Sequence, residues 1–379
     1  RIAHEKLSFL GTINRQYDSS FAQTGGKIGS TLRIRQPNLF TRRTGSRVMD
    51  VQDVTSTAIT ATVATQDGVD IRFNSAELAM DIDDFSRLYI EPAVAVMVSG
   101  IESDVLTSVT KDVYQLAGTA GTPPADLAAI GAARAKLNQS LAPKDGNRFV
   151  QMDSVTMGTM VNGLKGLFQD STQIKEQYRE GMIGRTGMAD FYENERTWSM
   201  TNSADVAGEI NAGTLTSGIT ALTVDGFTAE PTAGMVFTVE GIYDVHPETK
   251  QAYSHLKQFV VTSGATTTNL TFSPAMIYSS GATQNCSGTP VDNADITFVG
   301  SASTAYRQNL MYHKDAFTFI TADLPIMDDA IKCVRRVQDG LSLRVWQASD
   351  IRNDEMLLRM DILYGFKTLR PEWACRITS

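Results

Sequence analysis

The chain has little cysteine: three in 379 residues, Cys286, Cys333 and Cys375, far apart and without a CxxC pair. An odd, scattered set excludes a disulfide framework and fits a chain made in a reducing compartment. Each is expected to act as a small buried hydrophobe. No run of about 18 apolar residues occurs, so no membrane span is expected. No signal-peptide pattern is present, and the chain opens at Arg1 instead of Met, which leaves room for missing N-terminal residues. Cationic excess is absent too. Lys and Arg number 34 against 42 Asp and Glu, for a net charge of -8. A protein that grips nucleic acid through its phosphates carries the opposite balance.

Catalytic signatures are equally scarce. There is no GxSxG, no Walker-type loop and no HExxH. Gly181, Gly184 and Gly187 have neither the spacing nor the preceding strand of a nucleotide-binding turn. Four histidines exist, His4, His246, His255 and His313. His246 and His255 flank a polar stretch but lack zinc spacing. No metal, no cofactor and no enzymatic activity are expected.

What is present is a large apolar content, 42%, with 20% charged residues. That supports a sizeable core, and the length suggests two or three domains or one with an insertion. Charge is unevenly laid out. Residues 1–50 hold nine Lys and Arg against three acids; residues 67–112 hold ten acids against three bases. Residues 1–30, rich in Gly, Ser and Thr, read as an arm. Residues 31–75 read as a long β-hairpin: Leu32 and Ile34 alternate with Arg33 and Arg35, Ile59 to Val63 alternate with threonine, and Asp67-Gly68 signals a turn before Val69 to Phe73. Residues 76–124 hold a short turn over 81–89, where Asp81, Asp83 and Asp84 suit a helix N-terminus, and a long helix over 92–116, with Pro92 in its first turn.

Over 125–202 the spacing predicts a helix Asp126–Leu141, a strand Phe149–Met152, a helix Val155–Phe168 and a loop-rich Glu180–Trp198. Residues 203–304 hold only eleven charged residues and are rich in Thr and Gly. Five strand candidates recur at roughly ten-residue spacing: 221–224, 235–239, 258–262, 269–272 and 296–299. Asp225-Gly226 and Glu240-Gly241 serve as turns, and the polar stretch Tyr243–Lys257 serves as the longest loop. This is the pattern of a small inserted β-barrel or sandwich. Residues 305–345 return to α+β character with a helical 330–337, and 346–379 hold a strand at 356–363.

Two stretches resemble the major coat protein of Salmonella short-tailed phages. At the C-terminal end the matching residues are Asp350, Ile351, Tyr364, Gly365, Arg370, Pro371 and Glu372. Earlier, Met182-Ile183 follows a Glu-Gln-Tyr-Arg-Glu run before the chain turns Thr- and Gly-rich. The order of parts also matches. The resemblance covers most of the chain by architecture and these patches by residues.

It implies an α+β fold of the Hong Kong 97 capsid type, with N-arm, extended hairpin, spine helix, α/β axial domain and inserted β-barrel. It implies a virion shell subunit that assembles with itself into hexamers and pentamers in the host bacterial cytoplasm. Scaffolding, portal and decoration proteins are the implied partners, and double-stranded DNA is enclosed without being read. Opposite charge on hairpin and spine suits heterologous contacts between copies. Arg33, Arg35, Arg42, Arg43 and Arg47 are expected to meet a neighbour's Asp81, Asp83 and Asp84. The 243–257 loop, with Tyr243, Asp244, His246, Glu248, Lys250 and Lys257, is expected to reach between capsomers. The rivals are an encapsulin-type compartment shell, disfavoured by the insertion, and a β-rich hydrolase or carbohydrate-binding module. The last would need catalytic carboxylates or exposed aromatics, for which Tyr243, Tyr253 and Tyr278 lack supporting spacing.

Overall fold

The computed structural model describes residues 7–18, 30–42, 45, 49, 51–52, 58–74, 86–164, 184–211, 213, 215–327, 331–338, 340–350, 352–353 and 355–379. The chain forms two compact units. The first comprises Arg1–Gln36, Ala58–Val105 and Phe317–Leu369; the second comprises Pro37–Thr57, Leu106–Ala316 and Arg370–Ser379.

The first unit is organised on one long strand, Glu355–Thr368. Its first ten residues pair antiparallel with Thr65–Asn74, from Glu355 opposite Asn74 to Tyr364 opposite Thr65. Leu341–Asp350 also pairs along this half, and Phe317–Ala322 pairs along the other. Lys332–Gln338 extends the sheet beyond Leu341–Asp350, and Asn14–Asp18 joins Phe317–Ala322 in parallel. The strand Glu355–Thr368 alternates by face, as the two-residue period requires. Met360 faces Val94 and Val98 of a helix, with Val69, Ile71 and Val345 beside it. Asp361 on the opposite face is buried and takes Arg344 at 2.6 Å and Arg359 at 2.8 Å.

A four-residue helix α1 (Phe9–Thr12) precedes that helix, α2 (Glu91–Asp112). At about 1.5 Å per residue, the 22 residues of α2 span about 33 Å. Extended by its preceding turn to Leu88–Asp112, it is long and apolar enough to cross a membrane by length and composition. Half of that window is buried inside the protein, and Glu102 within it is fully buried and hydrogen-bonded. This is how a core helix behaves.

In the second unit, the strand Ala305–His313 lies between Arg148–Met152 and Ala374–Thr378. Helix α3 (Leu127–Gln139), capped by Asp126, and helix α4 (Ser154–Leu164) cover this sheet. Ile130, Ala133 and Leu137 of α3 and Met157 and Met160 of α4 meet Val150, Met311 and Ile377 in one core.

The same unit contains a closed β-barrel. Six strands pair in a ring: Val236–Val245, Ala252–Val261, Asn269–Met276, Ile219–Asp225, Ala207–Ile210 and Asp295–Phe298, which pairs back onto Val236–Val245. Closure removes the exposed strand edges that a sheet rich in threonine would otherwise offer. Phe237 sits at its centre, with the rings of Phe298, Phe259 and Phe272 at 5.5, 5.7 and 5.8 Å.

Several sequence expectations are corrected here. Ser30–Arg35 and Ala58–Val63 do pair as a hairpin limb, but Asp67-Gly68 is no turn. It lies inside Thr65–Asn74, which leaves the limb to pair with Glu355–Thr368. Gly68 is required there because any Cβ would meet the carbonyl of Met360, and Asp361 Oδ1 at 2.8 Å. Lys332–Gln338 is a strand, not a helix: Val334 and Val337 pair across to Val345 and Ser342, and Gly340 turns the hairpin at positive φ. The loop-rich 180–198 contains paired short strands, Arg185–Thr186 and Ala189–Glu193. Glu240-Gly241 is a bulge within one strand, between Thr238 and Tyr243, not a turn.

Candidate functional site

The hairpin limb presents its arginines as the alternation requires. Leu32 and Ile34 turn toward Ala61, Val63, Ile320 and Leu363, so Arg33 and Arg35 are left exposed on the other face. Arg42 is exposed further along. Arg43, Arg47, Asp81, Asp83 and Asp84 lie outside the described residues. The two arms of the segment beyond Arg35 are tied at one point. The Gln52 carboxamide accepts from the Thr41 N–H at 2.8 Å and donates to the Thr41 carbonyl at 2.7 Å, as a paired backbone would. Around this tie Leu39, Phe40, Met49 and Val51 are 61–80% exposed. Sequence reading singled out the charges of this segment and missed these apolar side chains. Four large hydrophobics without local cover were the available signal.

Residues 243–257 are a barrel hairpin, not a loop. Val236–Val245 runs to Val245 and Ala252–Val261 starts at Ala252, so only 246–251 turn. The turn is built locally. His246 Nδ1 accepts from the N–H groups of Glu248 and Thr249, both at 3.1 Å. Lys250 takes a left-handed backbone (φ 58°), and its Nζ donates to the carbonyls of Ala282 at 2.7 Å and Gln284 at 3.1 Å. Burial pushes the Lys250 ammonium below the ordinary lysine range. His246, Glu248 and Lys250 thus belong to one ordered tip.

Tyr243, Asp244 and Lys257 stand apart from that tip. Tyr243 is 40% exposed. Lys257 is buried, not at a loop edge, and binds Asp244 at 2.7 Å. Its ammonium also lies 5.1 Å from the ring centre of Tyr114. Burial opposes the charge on Lys257, but Tyr114 and Asp244 outweigh it and hold the pKa above the ordinary lysine value. Burial likewise raises the Tyr114 hydroxyl. His255 approaches the second Asp244 oxygen at 3.5 Å and stacks on Tyr253. Lys257 and Asp244 therefore serve the interior, and the surface expected of 243–257 shrinks to Tyr243 and the tip. Among the described residues no three His, Cys, Asp or Glu side chains gather as a metal site.

The family model described as "P22 coat protein - gene protein 5" matches residues 38–376. The chain belongs to the P22 coat protein family. The match takes in α2, the sheet around Ala305–His313 and the barrel, with the exposed Arg42 and the 246–251 turn, and it begins after Arg33 and Arg35. No curated relative matches the chain by sequence.

Among solved structures the chain is similar to that of Mycobacterium phage Che8, at 11% identity and a TM-score of 0.47 over 95% of this chain and 88% of that one. It is similar to the capsid of the Cyanophage P-SCSP1u, at 10% and 0.45 over 97% and 86%. It is also similar to the mature capsid of bacteriophage PhiM1, at 12% and 0.44 over 98% and 86%. At these values the coat-family match alone fixes the assignment.

Proposed function

We propose that this coat-family chain works as a Hong Kong 97-type subunit. The family match over 38–376 carries the reading, and it makes the chain a major capsid protein that builds a phage head shell. In the finer reading, copies form hexamers and pentamers of an icosahedral shell around a scaffolding protein, with a portal at one vertex and decoration proteins outside. Assembly takes place in the host bacterial cytoplasm and precedes entry of double-stranded DNA. The acidic balance suits a wall that encloses DNA without holding it. The six-stranded barrel serves as the inserted domain, and its presence favours a phage coat over an encapsulin-type compartment.

Contacts between copies follow from the charge layout. Arg33, Arg35 and Arg42 are exposed on the limb, and with Arg43 and Arg47 they are assigned to a neighbour's Asp81, Asp83 and Asp84. The barrel tip around His246, Glu248 and Lys250, with Tyr243 beside it, is assigned to contacts between capsomers. Sedimentation of the purified chain tests both. Wild type is expected to convert to fast-sedimenting shells. R42E combined with R43E is expected to remain a folded, slow-sedimenting subunit, and normal shells from it would remove the charge-pairing account. Removal of residues 247–250 is expected to weaken shells without unfolding the barrel; undiminished shells would free the tip of that role.

A further inference from the structure

A two-stranded stalk joins the barrel to the sheet around Ala305–His313, and the barrel also packs on Tyr114 and Leu116 through Val236 and Val260. The chain enters through Trp198–Thr201 and returns through Ala305–Gln308, and these two runs pair with each other, Thr201 opposite Ala305 and Trp198 opposite Gln308. A two-stranded ribbon is a pliable connection. One side chain braces it from an unexpected place. Arg376, in the C-terminal strand, is fully buried. Its Nη1 donates to the carbonyl of Gly234 at 2.6 Å, and its Nη2 donates to the carbonyl of Lys111 at 3.0 Å. Gly234 opens the barrel's longest hairpin, and its own N–H is held by Val261. Lys111 is in the last turn of α2, where unpaired carbonyls and the helix dipole favour a cation.

Trp198, the first residue of the stalk, is held between two cations. The Lys111 ammonium lies 5.4 Å and the Arg376 guanidinium 5.7 Å from its ring centre. Gly234 has φ +100°, and a Cβ there would come within 2.5 Å of the same ring. Helix end, stalk, barrel turn and C-terminal strand therefore meet at one guanidinium. Burial pulls the pKa of the Arg376 guanidinium down to about 9, and the nearby Asp112 carboxylate, the two carbonyl dipoles and the indole face act against that burial. An apolar side chain would be the cheaper filler at such a site. A planar fork that satisfies two carbonyls in fixed directions is what only arginine supplies.

We infer that Arg376 is a positioning residue for assembly: it sets the direction in which the barrel projects from the axial sheet, and with it the placement of the 246–251 tip. The inference rests on the coat-protein reading for its consequence, but not for its geometry. Two variants test it. R376K replaces the rigid planar fork by one compact ammonium without its fixed donor directions, and R376M removes the charge and keeps the volume.

Hydrogen exchange on the unassembled chain is the first readout. Amides at 198–201 and 234–236 are expected to exchange at least tenfold faster in both variants, while those of the interior barrel strands at 256–261 and 270–276 keep their protection. Electron microscopy is the second: the variants are expected to give open or irregular particles where wild type gives uniform shells. Unchanged stalk exchange with normal shells in R376K overturns the inference, even if R376M fails to fold. Faster exchange throughout the barrel also overturns it, because Arg376 would then stabilise the barrel instead of aiming it. Failure of wild type to assemble refutes the coat reading, and the exchange data then decide the brace separately.

Discussion

Glu102 offers the sharpest single-residue test of how the first unit is held together. It lies within α2, has no solvent exposure, and anchors the start of α1. Its Oε1 accepts from Ser8 Oγ at 2.8 Å and from the Phe9 N–H at 3.0 Å, and its Oε2 accepts from the Ser8 N–H at 3.2 Å. The carboxylate thereby satisfies N–H groups that a helix start leaves unpaired. Phe9 and Leu10, just beyond, are buried in the same unit.

Bonds to a charged acceptor are each worth about 1.5–3 kcal/mol net, and they do not add fully within one cluster. E102A loses all three, one of them at the buried Phe9 N–H, for an expected cost of about 3–5 kcal/mol. E102Q keeps an oxygen for Oε1's two donors but points an NH2 at the Ser8 N–H, for about 1–3 kcal/mol. S8A loses one hydroxyl bond to the carboxylate, at the low end of the range for a charged acceptor, about 1.5 kcal/mol. Urea denaturation of the unassembled chain, followed with proteolysis near residue 10, measures the series. The expected order is E102A, then E102Q, then S8A, with the proteolytic site opening before the global transition. E102A within 1 kcal/mol of wild type, or with an unaltered site near residue 10, refutes the reasoning.

Other consequences are as direct. F237A removes the ring about which Phe259, Phe272 and Phe298 pack; it is expected to cost about 3–5 kcal/mol, read as lost exchange protection confined to the barrel. G365A sets a methyl against the Thr62 carbonyl and within 2.9 Å of Val63 Cα; unfolding at lower denaturant, with the limb strand Ala58–Val63 exchanging first, is the expected result. Asp145 titrates below the ordinary carboxylate range because the Asn147 side chain and N–H bond it, with His313 adding a further contact. A depressed acid stabilises above its unfolded pKa of about 3.9 and loses that contribution as pH falls through the folded value. Below about pH 4, the wild-type stability curve is therefore expected to fall more steeply than that of D145N; superimposable acid limbs would remove Asp145 from the account.

Much of the architecture was legible because it follows from local pattern. Helix α3 could be read from Asp126 and the spacing of Ile130, Ala133 and Leu137, and the structure caps and buries those residues. The long helix was read four residues too far at its C-terminal end. Val113–Gln115 leave it so that Leu116–Ala117 can pair with the C-terminal strand, a partner some 260 residues away. All five barrel strands read from the sequence exist, whereas Ala207–Ile210 was missed; its Gly208 is there because a Cβ would strike the Phe227 ring.

The failures share a cause. Asp67-Gly68 and Lys332–Gln338 carry local turn and helix signals that strand pairing across the fold overrides. The same holds for the candidate surfaces. Exposure of Arg33 and Arg35 follows from alternation with Leu32 and Ile34. The burial of Lys257 does not, because Tyr114, which covers it, is more than 140 positions earlier in the chain. Arg376 carried no signal for the same reason: Gly234, Lys111 and Trp198 are scattered along the chain and meet only in the fold.

The central claim is that this chain builds a closed shell. Negative-stain electron microscopy of the protein expressed in bacteria addresses it most directly. The account predicts uniform closed shells, or shells mixed with tubes and spirals of the same subunit. A preparation of folded monomers or dimers that never forms such particles, alone or with a phage lysate as the source of partners, would contradict it.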